Sequence, residues 1–370
     1  MNLQSTTDVF IVGGGPSGLA AAIAARQKGF DVTLADGAAP PIEKPCGEGM
    51  MPETITALRG LGITIGPSDG VTFRGICFAQ CDARVTADFP SGAGVGMRRT
   101  ALHERLVVRA EDCGVKLLWR TAVVAIGAGH VELASGRIPT RWIIGADGQG
   151  SRVRRWSGIA TKQIRQRFAT RRHFRVRPWS SYVEIHWSTH AQAYVTPVAP
   201  DEVCIVMISG HARQASFDRA LSEFPTIREK IAFAKTTSRE RGAVTSMHTL
   251  RSVQHGNVAL VGDASGSVDA ITGEGIRLGL RQASALADAL VAGNLLQYER
   301  EHRALAKRPS RMAHLMLWLD HNPKLRARVI LALQRKPDLF ARTLAMHVGY
   351  GSACDILFTG TRLGWRLLAA

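Results

Sequence analysis

Val9-Phe10-Ile11-Val12 runs directly into Gly13-Gly14-Gly15-Pro16-Ser17-Gly18. A short apolar strand that turns on glycine and enters the Ala-rich segment from Pro16 to Lys28 opens a βαβ unit. Asp31 to Ala35 supplies its second strand, which ends at Asp36, 23 positions after Gly13. Gly13 permits the tight turn after the first strand. Gly15 lets backbone N–H groups approach a pyrophosphate, and Gly18 lets the helix pack closely on the strand. The positive end of the helix faces the same phosphates. Asp36 stands where a carboxylate accepts ribose hydroxyls. These residues describe a site for ADP, which NAD and FAD share.

Two later signatures separate those cofactors. Gly145-Ala146-Asp147-Gly148, followed by Ser151 and Arg154, ends one strand. Gly262-Asp263 ends another and is followed by Gly273-Glu274-Gly275-Ile276 at the start of a long helix. A carboxylate at a strand end can hold a polyol, which a ribityl chain offers and NAD lacks. A helix N-terminus at Gly273 to Gly275 can stabilise negative charge on a reduced flavin ring. The expected cofactor is therefore one extended FAD.

At these residues the chain resembles the flavoprotein superfamily of the aromatic hydroxylases (para-hydroxybenzoate hydroxylase-like) and the geranylgeranyl reductases. The resemblance rests on Gly13-x-Gly15-x-x-Gly18, Arg99-x-x-Leu102-x-x-x-Leu106, Asp147-Gly148-x-x-Ser151-x-x-Arg154 and Gly262-Asp263 to Gly275-Ile276. It covers about the first 300 residues. It implies that the glycine loop with Ser17 holds the ADP phosphates and that Asp36 stands at the ribose position, where Glu is usual. It places Arg99 near the pyrophosphate, the Val123 backbone at adenine, Asp263 at ribityl or phosphate, and the Gly275-Ile276 amides at the flavin ring. Lys44-Pro45-Cys46-Gly47-Glu48-Gly49 looks like the reductase loop beside the flavin. Gly47 there permits close approach, and Cys46 is either a redox or proton-handling group or a small buried thiol.

The implied architecture is α/β: a Rossmann-like FAD-binding domain with an inserted β-sheet substrate domain and C-terminal helices. The expected FAD-binding pieces are 1–70, 96–160 and 254–297. The substrate sheet takes 71–95 and 161–253, and a helical region fills 298–370. Ser216 to Ala234 reads as helix, and Pro309, Pro323 and Pro337 read as breaks in the C-terminal helices.

Composition sets bounds on what the chain can be. Its 370 residues are 45% hydrophobic, enough for a large core. No apolar run reaches the ~18 residues needed to span a bilayer. Leu315-Met316-Leu317-Trp318-Leu319 stops at Asp320. The polar start offers no signal peptide, and six cysteines form no disulfide or zinc framework, so a cytoplasmic protein is expected. The net charge of +17 concentrates in 152–177 and 300–342. Such a field attracts anionic partners, among them a membrane surface or an acidic carrier protein. No nucleic-acid-binding signature accompanies it.

Two activities remain open at this level. Gly273-Glu274-Gly275-Ile276 resembles the reductases and halogenases, whereas Tyr194-x-x-Pro197 with its short turn looks more like a hydroxylase substrate sheet. The first expectation is a monooxygenase that takes electrons from a transient NAD(P)H and hydroxylates a hydrophobic aromatic or lipid-tailed molecule with O2. The second is a reductase of isoprenoid double bonds, in which Cys46 is well placed to supply a proton. A third is a non-catalytic flavin-binding protein that docks through its basic face. Tyr182, His186, Tyr194 and Met207, all on the substrate sheet, are the candidate pocket residues.

Overall fold

The computed structural model describes residues 6–66, 68–210 and 216–350, without the side chains of residues 163 and 164. The first strand, Thr7–Val12, sits mid-sheet between Val32–Asp36 and Gly136–Gly145, parallel to both. Lys116–Trp119 extends the parallel sheet on one side and Val258–Leu260 on the other. Helices cover such a sheet, so its strands are continuous apolar runs; Val9, Phe10 and Ile11 are fully buried. A side hairpin, Val123–Gly127 with His130–Leu133, joins through Gly136–Gly145.

The described residues form ten α-helices in chain order. They are α1 (Pro16–Gln27), α2 (Pro52–Gly60), α3 (Arg99–Asp112), α4 (Arg152–Trp156), α5 (Phe217–Leu221), α6 (Pro225–Lys230), α7 (Gly275–Val291), α8 (Leu295–His321), α9 (Pro323–Arg335) and α10 (Pro337–Val348). Side chains of α1, α3 and α7 share one core with the parallel sheet.

The second sheet is built on the 15-residue strand Thr161–Arg175, flanked by Glu202–Ser209 and Arg241–Leu250. Ala191–Ala199, Tyr182–Trp187, Gly75–Gln80 and Ala83–Asp88 continue it. Alternation sorts its two faces. Ala169, Ile185, Tyr194, Val206 and Ile208 pack toward α8, α9 and α10. Ala193, Val195, Ile205 and Met207 pack under α5 and α6.

Three expectations need correction. Val71–Phe73 and Gly94–Gly96 do not join the substrate sheet; they form a small third sheet with Gly49–Met50. Residues 216–234 hold two short helices instead of one, because Pro225 starts a new helix and disfavours helical backbone at Phe224. Pro309 does not end its helix: α8 passes through it. Tyr298 and His302 before it, and Ala313 and Met316 after it, are all buried and fasten both halves to the core. Pro323 and Pro337 do mark breaks, each as the first residue of a helix.

Candidate functional site

The glycine loop is shaped by close approach. A Cβ on Gly18 would lie 1.9 Å from the Gly13 carbonyl, and one on Gly14 would lie 2.3 Å from the Trp119 ring. Gly13 turns at φ +112°, with its α-carbon against the Ala146 carbonyl. Gly15 differs: a Cβ there would meet nothing within 4 Å. It precedes α1, whose N-terminus takes no side-chain cap. The loop thus presents uncapped amides to open space, as an anion requires.

Asp36 accepts from Gly14 N at 2.7 Å through one carboxylate oxygen and from Ala38 N at 2.8 Å through the other. It braces the loop, and each oxygen keeps a lone pair for a ribose hydroxyl. The Asp36 carbonyl accepts from Thr121 N at 2.8 Å, which brings the start of the Val123 strand alongside. His103 of α3 is fully buried, and its Nε2 donates to the Gly14 carbonyl at 2.8 Å. Burial pushes its pKa down, so the ring is neutral. The Ser17 side chain lies against the backbone of Gly262 and Gly279, where a Cβ would come within 2.4 and 2.1 Å of its hydroxyl. In the described structure Ser17 therefore seats α1 on α7.

Asp263 is exposed, yet protein surrounds it: the burial of its crevice raises its pKa, against the pull of Lys44, His248 and Arg99. Lys44 reaches across toward Gly148, at which a Cβ would lie 3.1 Å from its ammonium. The buried Arg99 bonds the Ile42 carbonyl, and its backbone N donates to Glu48 at 3.1 Å. Burial lowers the Arg99 pKa, while Cys46, Glu48 and Asp263 draw it back. Behind Asp263, buried Arg154 ties the Ala264 and Gln149 carbonyls together at 2.9 and 2.7 Å. His248 contacts the Asp263 carbonyl at 3.0 Å. The Asp147 carboxylate accepts from Ser151 Oγ at 2.5 Å and from Arg152 N at 2.6 Å. Those bonds cap α4, so Asp147 shapes the motif from within.

Glu48 carries the most information in the loop of Cys46. It is buried and holds φ +59°, a conformation rare outside glycine. Its carboxylate accepts from Arg171 Nη1 at 2.9 Å and from His173 Nε2 at 2.6 Å. His173 Nδ1 meets Ser238 Oγ at 2.8 Å. Glu48, His173 and Cys204 place their ligand-type atoms within 4.8 Å of one another, and Arg171 brings the positive charge a metal ion would bring. The loop is bolted to the substrate sheet through Thr196 Oγ1, which donates to the Gly47 carbonyl at 2.7 Å. Burial, then the neighbouring Glu48, raises the Cys46 pKa, so the thiol stays protonated near neutrality.

The pocket residues expected on the substrate sheet do not converge. Tyr194 alone lies on the face toward the loops, and its OH donates to the Ile271 carbonyl at 3.1 Å, just before Gly273. Met207 is buried on the opposite face under α5 and α6. Tyr182 and His186 share that opposite face because they alternate with Val183, Ile185 and Trp187. Tyr182 donates to Asp88 at 2.7 Å, and His186 pairs with Glu184 at 2.8 Å. Burial works against the Glu184 charge, but His186 and Arg84 override it and hold the pKa at about 2. Arg171, His173, Cys204 and Thr196 occupy the face that Tyr194 does, and sequence reasoning missed them. The signal available was the alternation of Arg171 and His173 with Arg172 in one strand. The loop acid Glu48 was quoted without a role.

At the far end, Gly273 has a left-handed φ of +66°, and added Cβ atoms on Gly273, Gly275 and Gly47 would meet nothing within 4 Å. The first turn of α7 takes no side-chain cap. Glu274 turns away, buried against Arg277. Open glycine backbone therefore recurs at Gly15, Gly47, Gly273 and Gly275, with uncapped helix amides at both ends and an accessible carboxylate between. These residues fit FAD. The glycine loop and Asp36 would hold the nucleotide, Arg99 and Asp263 the middle, and the Gly47 and Gly275-Ile276 backbone the ring.

This fold and site define a flavoprotein of the para-hydroxybenzoate hydroxylase-like architecture. The FAD binding domain family model matches residues 6–308, and the chain belongs to that family, an FAD-dependent oxidoreductase. "Menaquinone reductase" of Mycobacterium tuberculosis is 28% identical over 322 residues, 80% of this chain and 79% of the relative. "Digeranylgeranylglycerophospholipid reductase" of Methanocella arvoryzae is 25% identical over 336 residues, 80% and 78% of the two chains. Among solved structures, a flavoprotein/dehydrogenase from Cytophaga hutchinsonii superposes with TM-score 0.81 at 18% identity, covering 93% of each chain. 2-Methyl-3-hydroxypyridine-5-carboxylic acid oxygenase gives TM-score 0.72 at 22% identity over 90% and 93%. The superfamily spans hydroxylases, halogenases and geranylgeranyl-type reductases.

Proposed function

We propose that the protein reduces isolated carbon–carbon double bonds in the isoprenoid tail of a lipid, with NAD(P)H as the transient electron source. The observation that carries this reading is the Cys46 loop. A thiol kept protonated by burial stands next to the open backbone of Gly47, beside a buried carboxylate and two guanidiniums. FAD, bound and reduced, would supply the hydride that one alkene carbon takes. Cys46 gives its proton to the other, and the resulting thiolate lies within the field of Arg99 and Arg171. Glu48, held by His173 and Arg171, fixes the loop that carries the thiol. The likeness to two named reductases over four-fifths of the chain supports the second of the two activities expected from sequence.

A lipid substrate also gives the basic surface a use. Leu315, Trp318 and Leu331 are exposed on α8 and α9, with Arg311, Lys324 and Arg328 exposed among them. We propose that this corner rests on an anionic membrane surface.

The test is anaerobic incubation of the FAD-loaded protein with NAD(P)H and a polyprenyl lipid. Gain of two hydrogens per double bond, undiminished without air, is the expected result. Product that gains oxygen and forms only with O2 uptake overturns it in favour of hydroxylation. Cys46→Ala should keep the flavin absorbance and lose roughly 10²–10⁴-fold in kcat.

A further inference from the structure

Where α8 meets α9, a cavity of about 330 Å³ opens beside the substrate sheet, lined by Arg165, Arg167, His190, Asp320, His321 and Pro323 among others. That volume is at the lower end for ligand sites, roughly 300–1,000 Å³. We infer that this cavity is an anion site that takes a phosphate or diphosphate group.

The charges inside it are unequally answered. Arg167 is buried, and its two terminal nitrogens go to Asp269 at 2.9 Å and Gln192 at 3.0 Å. Asp320 is the one carboxylate among the described lining residues. It accepts from Gln192 Nε2 at 2.7 Å, with Arg326 at 3.4 Å and Arg167 at 3.5 Å. Arg165 has no carboxylate partner among the described residues. Its guanidinium contacts His321 Nε2 at 2.6 Å. His321 Nδ1 donates to the Leu317 carbonyl at 2.6 Å, so Nε2 carries the lone pair and accepts from Arg165. The histidine thus holds a surplus cation at the cavity.

The start of α9 adds to this field. Pro323 lines the cavity as the first residue of α9, whose N-terminus takes no side-chain cap. The residue that could cap it, Asn322, instead donates its side-chain amide to the Trp318 carbonyl at 2.7 Å. First-turn amides and an unanswered guanidinium together suit a phosphate, which arginine grips bidentately. The Arg167–Asp269 bond joins the cavity to the turn before Gly273, since Asp269 also accepts from Ile271 N at 3.0 Å.

Two ligands carry such a group: the headgroup of a lipid substrate and the 2′-phosphate of NADPH. The headgroup source rests on the reductase reading above, but the anion site does not. The experiment is calorimetric titration of FAD-loaded protein with inorganic pyrophosphate, for wild type and Arg165→Ala, alongside steady-state kinetics. Substrates are a polyprenyl diphosphate and the matching alcohol, each with NADPH and with NADH. Wild type should bind pyrophosphate, and Arg165→Ala should weaken it at least tenfold. A KM increase confined to the diphosphate assigns the headgroup; one confined to NADPH assigns the nucleotide. No pyrophosphate binding by wild type, or equal binding by both proteins, overturns the site while reduction of the alcohol still upholds the reductase. Arg165-dependent binding with no alkene reduced upholds the site and ends the reductase reading.

Discussion

Gly14 falls outside the three glycines that the nucleotide fingerprint requires, yet the fold constrains it as tightly as any of them. Its α-hydrogen faces the Trp119 ring, and a methyl group there would overlap the indole. Gly14→Ala should therefore displace the loop, cost about 1–3 kcal/mol of stability and weaken FAD retention. Trimming the wall in Gly14→Ala/Trp119→Leu should recover much of both, as read by melting temperature and by bound flavin absorbance. If the double variant is no better than the single one, Trp119 is not the obstacle. The cysteines give a second check at this scale. Cys81 is exposed, whereas the Cys46 thiol is raised by burial and Glu48. A disulfide reagent at pH 8 should modify Cys81 early and Cys46 late, each followed by the mass of its own peptide. Early labelling of Cys46, seen by peptide mass, would contradict a protonated thiol there.

Helix α8 shows how an element is secured by what it packs against more than by its own propensity. Its Tyr298 donates to the Leu260 carbonyl at 2.6 Å, and its His302 Nε2 meets Ser265 Oγ at 2.8 Å. Both contacts fall on the segment around Asp263, so the helix that passes through Pro309 also buttresses the cofactor cleft. Burial pushes the His302 pKa down to about 4, against ~6.5 in an unfolded chain. Between those values the unfolded chain binds the proton that the native state refuses. Stability from this group is therefore complete above pH ~6.5 and is lost as pH falls toward 4, by about 3 kcal/mol. His302→Gln should flatten the melting temperature between pH 6.5 and 4.5 relative to wild type. Parallel curves for the two proteins would show that His302 is not the group responsible. The parallel sheet, α1 and the start of α7 were legible in sequence because their apolar runs and glycines answer to local rules. The continuity of α8 was not, since the burial of Ala313 and Met316 beyond Pro309 is a tertiary fact.

Across the whole molecule, what sequence conveyed was the cofactor cleft, and what it withheld was the second sheet's orientation. Gly13, Gly15, Gly18, Asp263 and Gly275 announce themselves by spacing. Which face of Thr161–Arg175 meets the Cys46 loop depends on register with Glu202–Ser209, and periodicity alone leaves both faces equal. That is why Met207 was expected at the pocket and His173 was not. Charge behaves in the same way: +17 is visible in the sequence, but its arrangement becomes meaningful only in three dimensions. Exposed Trp318, Leu315 and Leu331 lie on α8 and α9, the two helices that meet at the cavity of Arg165 and His321. No helix among the described residues is long and apolar enough to cross a membrane. In the membrane contact proposed above, apolar insertion and attraction to anionic headgroups would act together, each basic residue near the surface contributing about 1 kcal/mol. Sedimentation with vesicles containing anionic lipid should carry the protein down at low ionic strength. Raising salt to 1 M shortens the screening length to ~3 Å and should release most of it. Trp318→Ser should weaken the residual, salt-resistant part, while neutral vesicles bind little in either case. Protein that stays in the supernatant at low salt, or that binds neutral vesicles equally, would place the lipid contact elsewhere on the molecule.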